Sequence, residues 1–385
     1  MDTADAVIVG AGLVGLSIAY HLVEQGMRDV VVVERESSFG QGSSGRSAGG
    51  IRLQFGLASS IRFSQYGVQM LKEFEGRFGV PASFNQCGYL FLTRDPKRWA
   101  VMQAAADLQR SLGVEVQTLG AGEVRRRFPY VVMDDLAGAT FGPQDGVADP
   151  FAMMYGFSRR ARELGARIVY GAEVTAITVE GHRVRGADTT AGPIASPMVV
   201  DAAGPHARAV GAMAGVAVPV DPYRRAVYVT APTDVLPRAM PMTLDFETTS
   251  YVRREGESLL LGMSDPAEPS SFDTALDQDS LIRLIEAVTR WAPSLQHTSL
   301  MRGWAGLYEI TPDHNPIIDG APTAGGELPE GFYIAAGFSG HGFQHAPAAG
   351  RALAELMCGQ APFADLTPFR WARFQEALQP EPFVI

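Results

Sequence analysis

The chain has 385 residues, 46% hydrophobic and 19% charged, an ordinary globular composition with length enough for two domains. Its formal net charge of −10 makes it a poor partner for nucleic acid, whose binding rests on Lys and Arg neutralising phosphates. Two distant cysteines, Cys87 and Cys358, no basic apolar leader and no run of about 18 apolar residues lead us to expect a cytoplasmic protein with no disulfide framework and no membrane span.

Residues 6–9 form a short apolar run that reads as a buried parallel strand. Gly10-Ala11-Gly12-Leu13-Val14-Gly15 follows, then a helical pattern over 16–25 ended by Gly26, then a second strand over 30–33 closed by Glu34. This order suits a dinucleotide. Gly10 makes the tight turn, Gly12 lets backbone approach a pyrophosphate, and Gly15 lets helix and strand pack closely. The helix start, with Leu13 and Val14, offers free N–H groups and a positive dipole end to phosphate. Glu34 is placed to accept from ribose hydroxyls, with Arg35 beside it. The pattern does not distinguish FAD from NAD. Next comes a loop of small residues and two cations: Ser43, Ser44, Arg46, Ser47, Ala48, Gly49, Gly50 and Arg52. Such a loop can lie along a pyrophosphate or an isoalloxazine edge.

Farther along, 151–164 reads as a helix, and Ala172-Glu173-Val174 precedes a hairpin. Another strand ends at Asp201, followed by Ala202, Ala203 and Gly204. Runs 88–93, 226–231, 249–253 and 258–263 suggest an antiparallel sheet, and Leu281, Leu284, Ile285 and Val288 mark one face of a helix over 279–290. Residues 333–336 read as a strand. A glycine turn follows, with Gly337, Gly340 and Gly342, and then a helix over 346–358 with Pro347 in its first turn and Gly359 beyond its end. No second glycine fingerprint is found, so a separate NAD(P)H domain is not expected, and no metal site is either.

With those residues in hand, the chain resembles the D-amino-acid-oxidase superfamily, and within it the branch of sarcosine oxidase, dimethylglycine dehydrogenase and the proline dehydrogenase β-subunit. Four segments carry the resemblance: the start just described, 199–205, 304–313 and 333–343, the last being the most specific. It implies an α/β and α+β fold. A discontinuous Rossmann-type FAD-binding domain would take residues 1–84, 140–215 and 311–385, and a substrate domain on a mostly antiparallel sheet 85–139 and 216–310. It implies FAD, with backbone at Val174 contacting adenine and Ala203-Gly204 turning beside the dinucleotide. The positive end of the last helix, with Gly337, Gly340, His341, Gly342, Phe343 and Gln344, would face the flavin. His341 and His345 also read as plain loop histidines.

The resemblance further implies oxidation of a C–N bond with hydride passing to the flavin. Three departures matter. Gly306 stands where sarcosine oxidases carry their flavin-linking cysteine, so FAD should be non-covalent. Leu260 falls at the place of the oxygen-activating lysine of the roofing sheet, which favours a dehydrogenase. Gln344 replaces a carboxylate-binding lysine, and Tyr308 an arginine clamp. Arg52, Tyr308, His341 and Tyr251 remain as residues for the reaction, and Arg253 is either a pocket residue or a solvated charge. The expected partners are a small amine or amino-acid substrate, most simply an N-alkyl or cyclic amino acid, and an electron acceptor that could be oxygen, a dye or a protein; homo- and hetero-oligomers both stay open. The alternatives are a 2-hydroxy-acid dehydrogenase on the same fold and a flavin-bound partner or assembly protein with little turnover.

Overall fold

The computed structural model describes residues 2–320 and 328–383. Two large sheets organise it. The first has six strands in the spatial order Ile317–Gly320, Phe332–Ala336, Val199–Asp201, Ala6–Val9, Val30–Glu34 and Arg167–Tyr170. All neighbours run parallel except the Ile317–Gly320 edge. Parallel strands are covered on both faces, which is why Ala6–Val9 and Phe332–Ala336 are buried throughout. Ile8 and Val32 turn to a helical layer made by Leu13–Glu24, Ala58–Phe78, Pro150–Glu163 and Gly342–Met357. Val7, Val31 and Val33 turn the other way, onto the short helix Ala207–Met213 and a four-stranded sheet that includes the hairpin Val174–Glu180 and Arg183–Thr189.

The second sheet has eight strands: Leu300–Ile310, Asp221–Thr230, Ser258–Met263, Ser250–Glu255, Met242–Asp245, Tyr89–Thr93, Gly138–Gly142 and Gln117–Leu119. Only the Met242–Asp245 and Tyr89–Thr93 pair is parallel. Alternation along its strands separates two faces. Leu259, Leu261 and Val252 pack beneath the amphipathic helix Gln278–Trp291, where the buried Trp291 Nε1–H donates to Ser250 Oγ at 3.0 Å. Tyr89, Val227, Met242, Tyr251 and Leu260 face the opposite way.

Three expected boundaries shift. The strand Gly138–Gly142 pairs within the eight-stranded sheet, so the chain leaves that sheet after residue 142 and not at about 140. The first helix starts at Leu13, three residues early, because the extended Gly12 already acts as its N-cap. The last helix starts at Gly342 and not at 346. Pro347 therefore sits in its sixth position, where it lacks the N–H that would bond the Phe343 carbonyl.

Candidate functional site

The carboxyl ends of the parallel strands open into a cavity of about 430 Å³. Such ends are where open α/β sheets bind ligands. Its walls include Gly10, Gly12, Glu34, Val174, Ala203 and Gly204. The three fingerprint glycines do different work. A Cβ at Gly10, whose φ is +107°, would come within 2.6 Å of the Ala202 carbonyl oxygen. A Cβ at Gly15 would collide with the Gly10 carbonyl, and Gly15 lines no cavity. Both are packing requirements of the turn. A Cβ at Gly12 would meet only Ser44 Oγ, at 3.4 Å, and otherwise point into the cavity. Gly12 alone of the three keeps space for a ligand.

The helix start has no side-chain cap of its own; the Leu13 N–H donates to Ser44 Oγ at 3.0 Å. Glu34 accepts the Ala11 N–H at 2.7 Å and the Glu36 N–H at 2.9 Å, which fixes its carboxylate at the cavity wall. Arg35 is exposed at the rim and pairs with Glu36 at 3.3 Å. Phe272 and Thr274 reach the same wall from the other sheet's connections, with His206 stacked on Phe272 at 4.6 Å. Sequence reasoning missed these, since nothing in a loop of mixed polarity marks them.

A second cavity of about 130 Å³ lies between the eight-stranded sheet and the Gly340–Gln344 segment. Val14, Ser43, Ser44, Arg46, Leu307 and Glu309 line both cavities, so the two are ends of one trough. The loop over 43–50 is stitched to the eight-stranded sheet. Ser43 Oγ donates to the Leu307 carbonyl at 2.7 Å, Arg46 to the Ala305 carbonyl at 2.8 Å, and Trp304 Nε1 to the Arg46 carbonyl at 3.0 Å. Arg253 donates to the Ala48 carbonyl at 2.8 Å and pairs with Glu255 at 2.6 Å. It is thus a tie for the loop, neither a pocket residue nor a solvated charge. Ser47, Ala48 and Gly50 line the small cavity, but Gly49 does not; its φ of +72° and the Ala148 carbonyl at 2.5 Å from a Cβ there make it a turn glycine. Gly337 likewise lies outside, packed against Thr311 with φ +74°.

Arg52 is 3% exposed and lies 3.9 Å over the Phe55 ring. It donates to the Gln54 carbonyl, to the Phe383 carbonyl at 2.6 Å and to His341 Nε2 at 3.0 Å. Its own backbone N–H donates to Gln344 Oε1 at 2.6 Å. Burial holds the His341 imidazole well below the usual histidine range, with the Arg52 charge acting in the same sense, so the ring is neutral and its Nε2 accepts. The tail that Arg52 grips is held further: the Gly56 N–H donates to Glu381 Oε1 at 2.8 Å, and the Phe383 ring packs against Phe91 and Phe246. Tyr308 and Tyr251 both face the small cavity. Burial pushes each phenol up, so both are neutral donors. Gly340, φ +94°, leaves room for the Tyr308 ring, and Gly262 does the same for Tyr251. Gly306 faces Arg46, whose Cβ would lie 3.0 Å from any Cβ there.

One expectation is overturned. Leu260 is 1% exposed and lines neither cavity; it is core beneath Val227 and Val229. On its strand Gly262, and not Leu260, pairs with the cavity residues Val227 and Tyr251, and Arg225 and Val227 of the neighbouring Asp221–Thr230 line the cavity instead. The sequence reading missed Arg225 because the apolar run that marked the strand begins at Ala226. It also missed Tyr89 and Glu309. Glu309 Oε2 is sealed from water and has no hydrogen-bond partner, as has Asp201 Oδ2. Burial pushes Glu309 up to about 7 and Asp201 up to about 8, each a neutral acid at low pH. An orphaned carboxyl oxygen on the wall of the trough fits a ligand that brings its own hydroxyl or N–H.

Residues 5–356 match the family model described as FAD dependent oxidoreductase. The chain belongs to that family. Its cofactor is accordingly FAD, and the trough, the open face of Gly12 and the orphaned Glu309 oxygen fit it. The chain is 31% identical to FAD-dependent oxidoreductase domain-containing protein 1 of Xenopus laevis, over 97% of this chain and 83% of that one. It is 30% identical to the mitochondrial sarcosine dehydrogenase of Homo sapiens, over 99% of this chain but only 42% of that one. It thus spans less than half of that relative. Among solved structures, L-proline dehydrogenase from P. horikoshii superposes with a TM-score of 0.89 at 30% identity, covering 98% of this chain and 100% of that one.

The glycine geometry separates two variants of this flavoprotein. Gly12→Val should give a folded protein with little FAD, because its side chain enters only the cavity. Gly15→Ala should lower the melting temperature of the apoprotein itself, because its Cβ meets backbone. Flavin absorbance per folded protein and thermal melts of both apoproteins check this. A Gly12→Val variant with full flavin content would show that the phosphates lie elsewhere.

Proposed function

We propose that this flavoprotein oxidises the C–N bond of a secondary or tertiary amine that carries a carboxylate, an N-alkyl or cyclic amino acid, using non-covalent FAD. The observation that carries the reading is the chemistry of the small cavity. Arg52 and Arg225 line it together with Tyr89, Tyr251 and Tyr308, and among the described residues Glu309 is the only carboxylic acid on its wall. Cations and neutral phenols around a small space suit an anionic, partly apolar substrate. The human sarcosine dehydrogenase and the P. horikoshii L-proline dehydrogenase carry names of the same chemical class, which supports the choice.

When bound, FAD supplies the hydride acceptor. The chain's own residues bind and orient. The N–H groups left free after Leu13 at the start of Leu13–Glu24 would hold the pyrophosphate, Glu34 the ribose and Val174 the adenine. The turn from Gly340 and the start of Gly342–Met357 would present N–H groups and a positive dipole end to the flavin ring and favour negative charge there. Tyr251 and Tyr308 orient the substrate. His341 spends its Nε2 lone pair on Arg52 and is not free to take the amine's proton. The amine therefore sheds its proton to solvent or on entry. We assign the FAD-binding part to residues up to 84, about 143–215 and from 311, and the substrate part to the two intervening stretches. No described helix is long and apolar enough to cross a membrane. We keep the cytoplasm as the proposed location on the two unbridged cysteines.

Anaerobic mixing with a panel of amines, amino acids and 2-hydroxy acids tests the reaction. We expect flavin bleaching by N-methyl or cyclic amino acids. Bleaching by hydroxy acids alone would replace the C–N reading, and bleaching by neither would make the chain a flavin-bound partner protein. Acid precipitation of the same holoenzyme should leave the yellow colour in the supernatant, as Gly306 offers no thiol; colour retained in the pellet would overturn the non-covalent assignment.

The acceptor follows from a different residue count than the one Leu260 suggested. The only lysines in the chain are Lys72 and Lys97, and both are exposed on helices of the periphery. No lysine ammonium can then stabilise the anion formed by the first electron transfer to oxygen, an effect that can be worth several kcal/mol in a shielded site, or roughly a hundred-fold in rate. We expect substrate-reduced enzyme to be reoxidised by air at least about tenfold more slowly than by an artificial dye. Stopped-flow reoxidation as fast as turnover would make it an oxidase.

A further inference from the structure

We propose that Arg225, and not Arg52, is the residue that takes the substrate's carboxylate; this rests on the amino-acid reading above. The two guanidiniums line the same small cavity but differ in how far the protein already uses them. Arg52 spends its N–H groups on two carbonyls and on His341, and its flat face on Phe55. It is a structural rivet between the flavin-side loop, the last helix and the chain's tail. Arg225 makes a single hydrogen bond, from Nη1 to the carbonyl of its neighbour Arg224 at 2.9 Å. Its Nε is sealed from water without a partner. Among the described residues no carboxylate lies within 4 Å of it, whereas Arg224, one position along, takes Glu268 at 3.0 Å and Asp273 at 3.9 Å. The acids of this edge are therefore spent on the arginine that points away, and the one on the cavity wall is left with a free fork.

The placement follows from strand register. Arg225 pairs with Gly306 across the antiparallel ladder, and paired residues project to the same face. Both residues line the small cavity, and Gly306 adds no side chain beside Arg225. Its guanidinium carbon lies 5.4 Å from the centre of the Tyr308 ring. Shielding from water disfavours its charged form, with Tyr308 the first group to oppose this, so an anion docking there removes a cost the empty protein bears. A carboxylate oxygen can dock on Nη2, the one nitrogen of the fork that is neither bonded nor sealed, its second oxygen reaching Nε as the side chain turns, and Tyr308 and Tyr251 supply hydroxyls beside it. The amine end of such a substrate then lies toward the Gly340–Gln344 side of the cavity, where the flavin ring is proposed to lie.

The test uses the FAD-loaded enzyme and two inert probes of one shape, pyrrole-2-carboxylate and pyrrole-2-carboxamide, titrated by the change in flavin absorbance. Wild-type enzyme should bind the acid and discriminate against the amide. Arg225→Met should weaken binding of the acid by about ten- to a hundred-fold, the range for a lost charged hydrogen-bonding partner, while flavin content and melting temperature hold. Arg225→Lys should fall between, keeping charge without the fork. An Arg225→Met enzyme that binds the acid like wild type overturns the clamp and leaves the amino-acid reading standing. Wild-type enzyme that binds the amide as tightly as the acid, or binds neither, overturns the amino-acid reading and the clamp with it.

Discussion

The small loop over 43–52 is what makes one trough out of two sheets. Its Ser44 caps the first helix of the parallel sheet, while Ser43, Arg46 and Ala48 are bonded to strands of the antiparallel one. These bonds span up to 264 residues of sequence. The serines, glycines and alanine in the loop are small because the backbone itself must touch both partners. Gly45 shows the constraint: a Cβ there would strike the Gly40 carbonyl and press on the Phe151 ring. Without this seam the dinucleotide end and the roofed end would be separate clefts, and no single ligand could lie along both.

Much of this was legible in the sequence, for reasons that differ by element. The strand, glycine turn and second strand over 6–34 announce themselves because a buried parallel strand leaves an unbroken apolar run and a tight turn leaves glycines. Tyr308, Tyr251, Arg52 and His341, each named from the sequence, line one cavity. What failed was the part governed by register. Leu260 was matched to a family position by order along the chain, but on its strand it is Gly262 that pairs with the cavity residues Val227 and Tyr251, and that register is a tertiary fact. Arg225 was hidden for the complementary reason: a charged residue at the head of an apolar run reads as loop until the ladder opposite Gly306 is known.

The arginines deserve a physical comparison, since the chain carries almost no other cation. A guanidinium keeps its charge in shielded places where an ammonium would lose its proton, and its fork can serve carbonyls as readily as carboxylates. Arg46, Arg52 and Arg253 are used in the first way, as donors that hold backbone. Arg373 is used in the second, donating to both oxygens of Asp313 at 2.7 and 3.0 Å. The same side chain thus builds the walls of the site and offers its recognition group, and only the inventory of spent N–H groups tells the two apart.

The grip of Arg52 on the Phe383 carbonyl has a consequence for the order in which the protein comes into being. The two residues are 331 apart in sequence. At ribosomal rates of about 5–20 residues per second, roughly a quarter of a minute to a minute passes between the synthesis of the first and that of the second. During that time the residues of the glycine turn and its first two strands exist, but the final acceptor of Arg52 is unmade. The glycine turn that starts the dinucleotide side is therefore made long before Phe383, on which the grip of Arg52 depends.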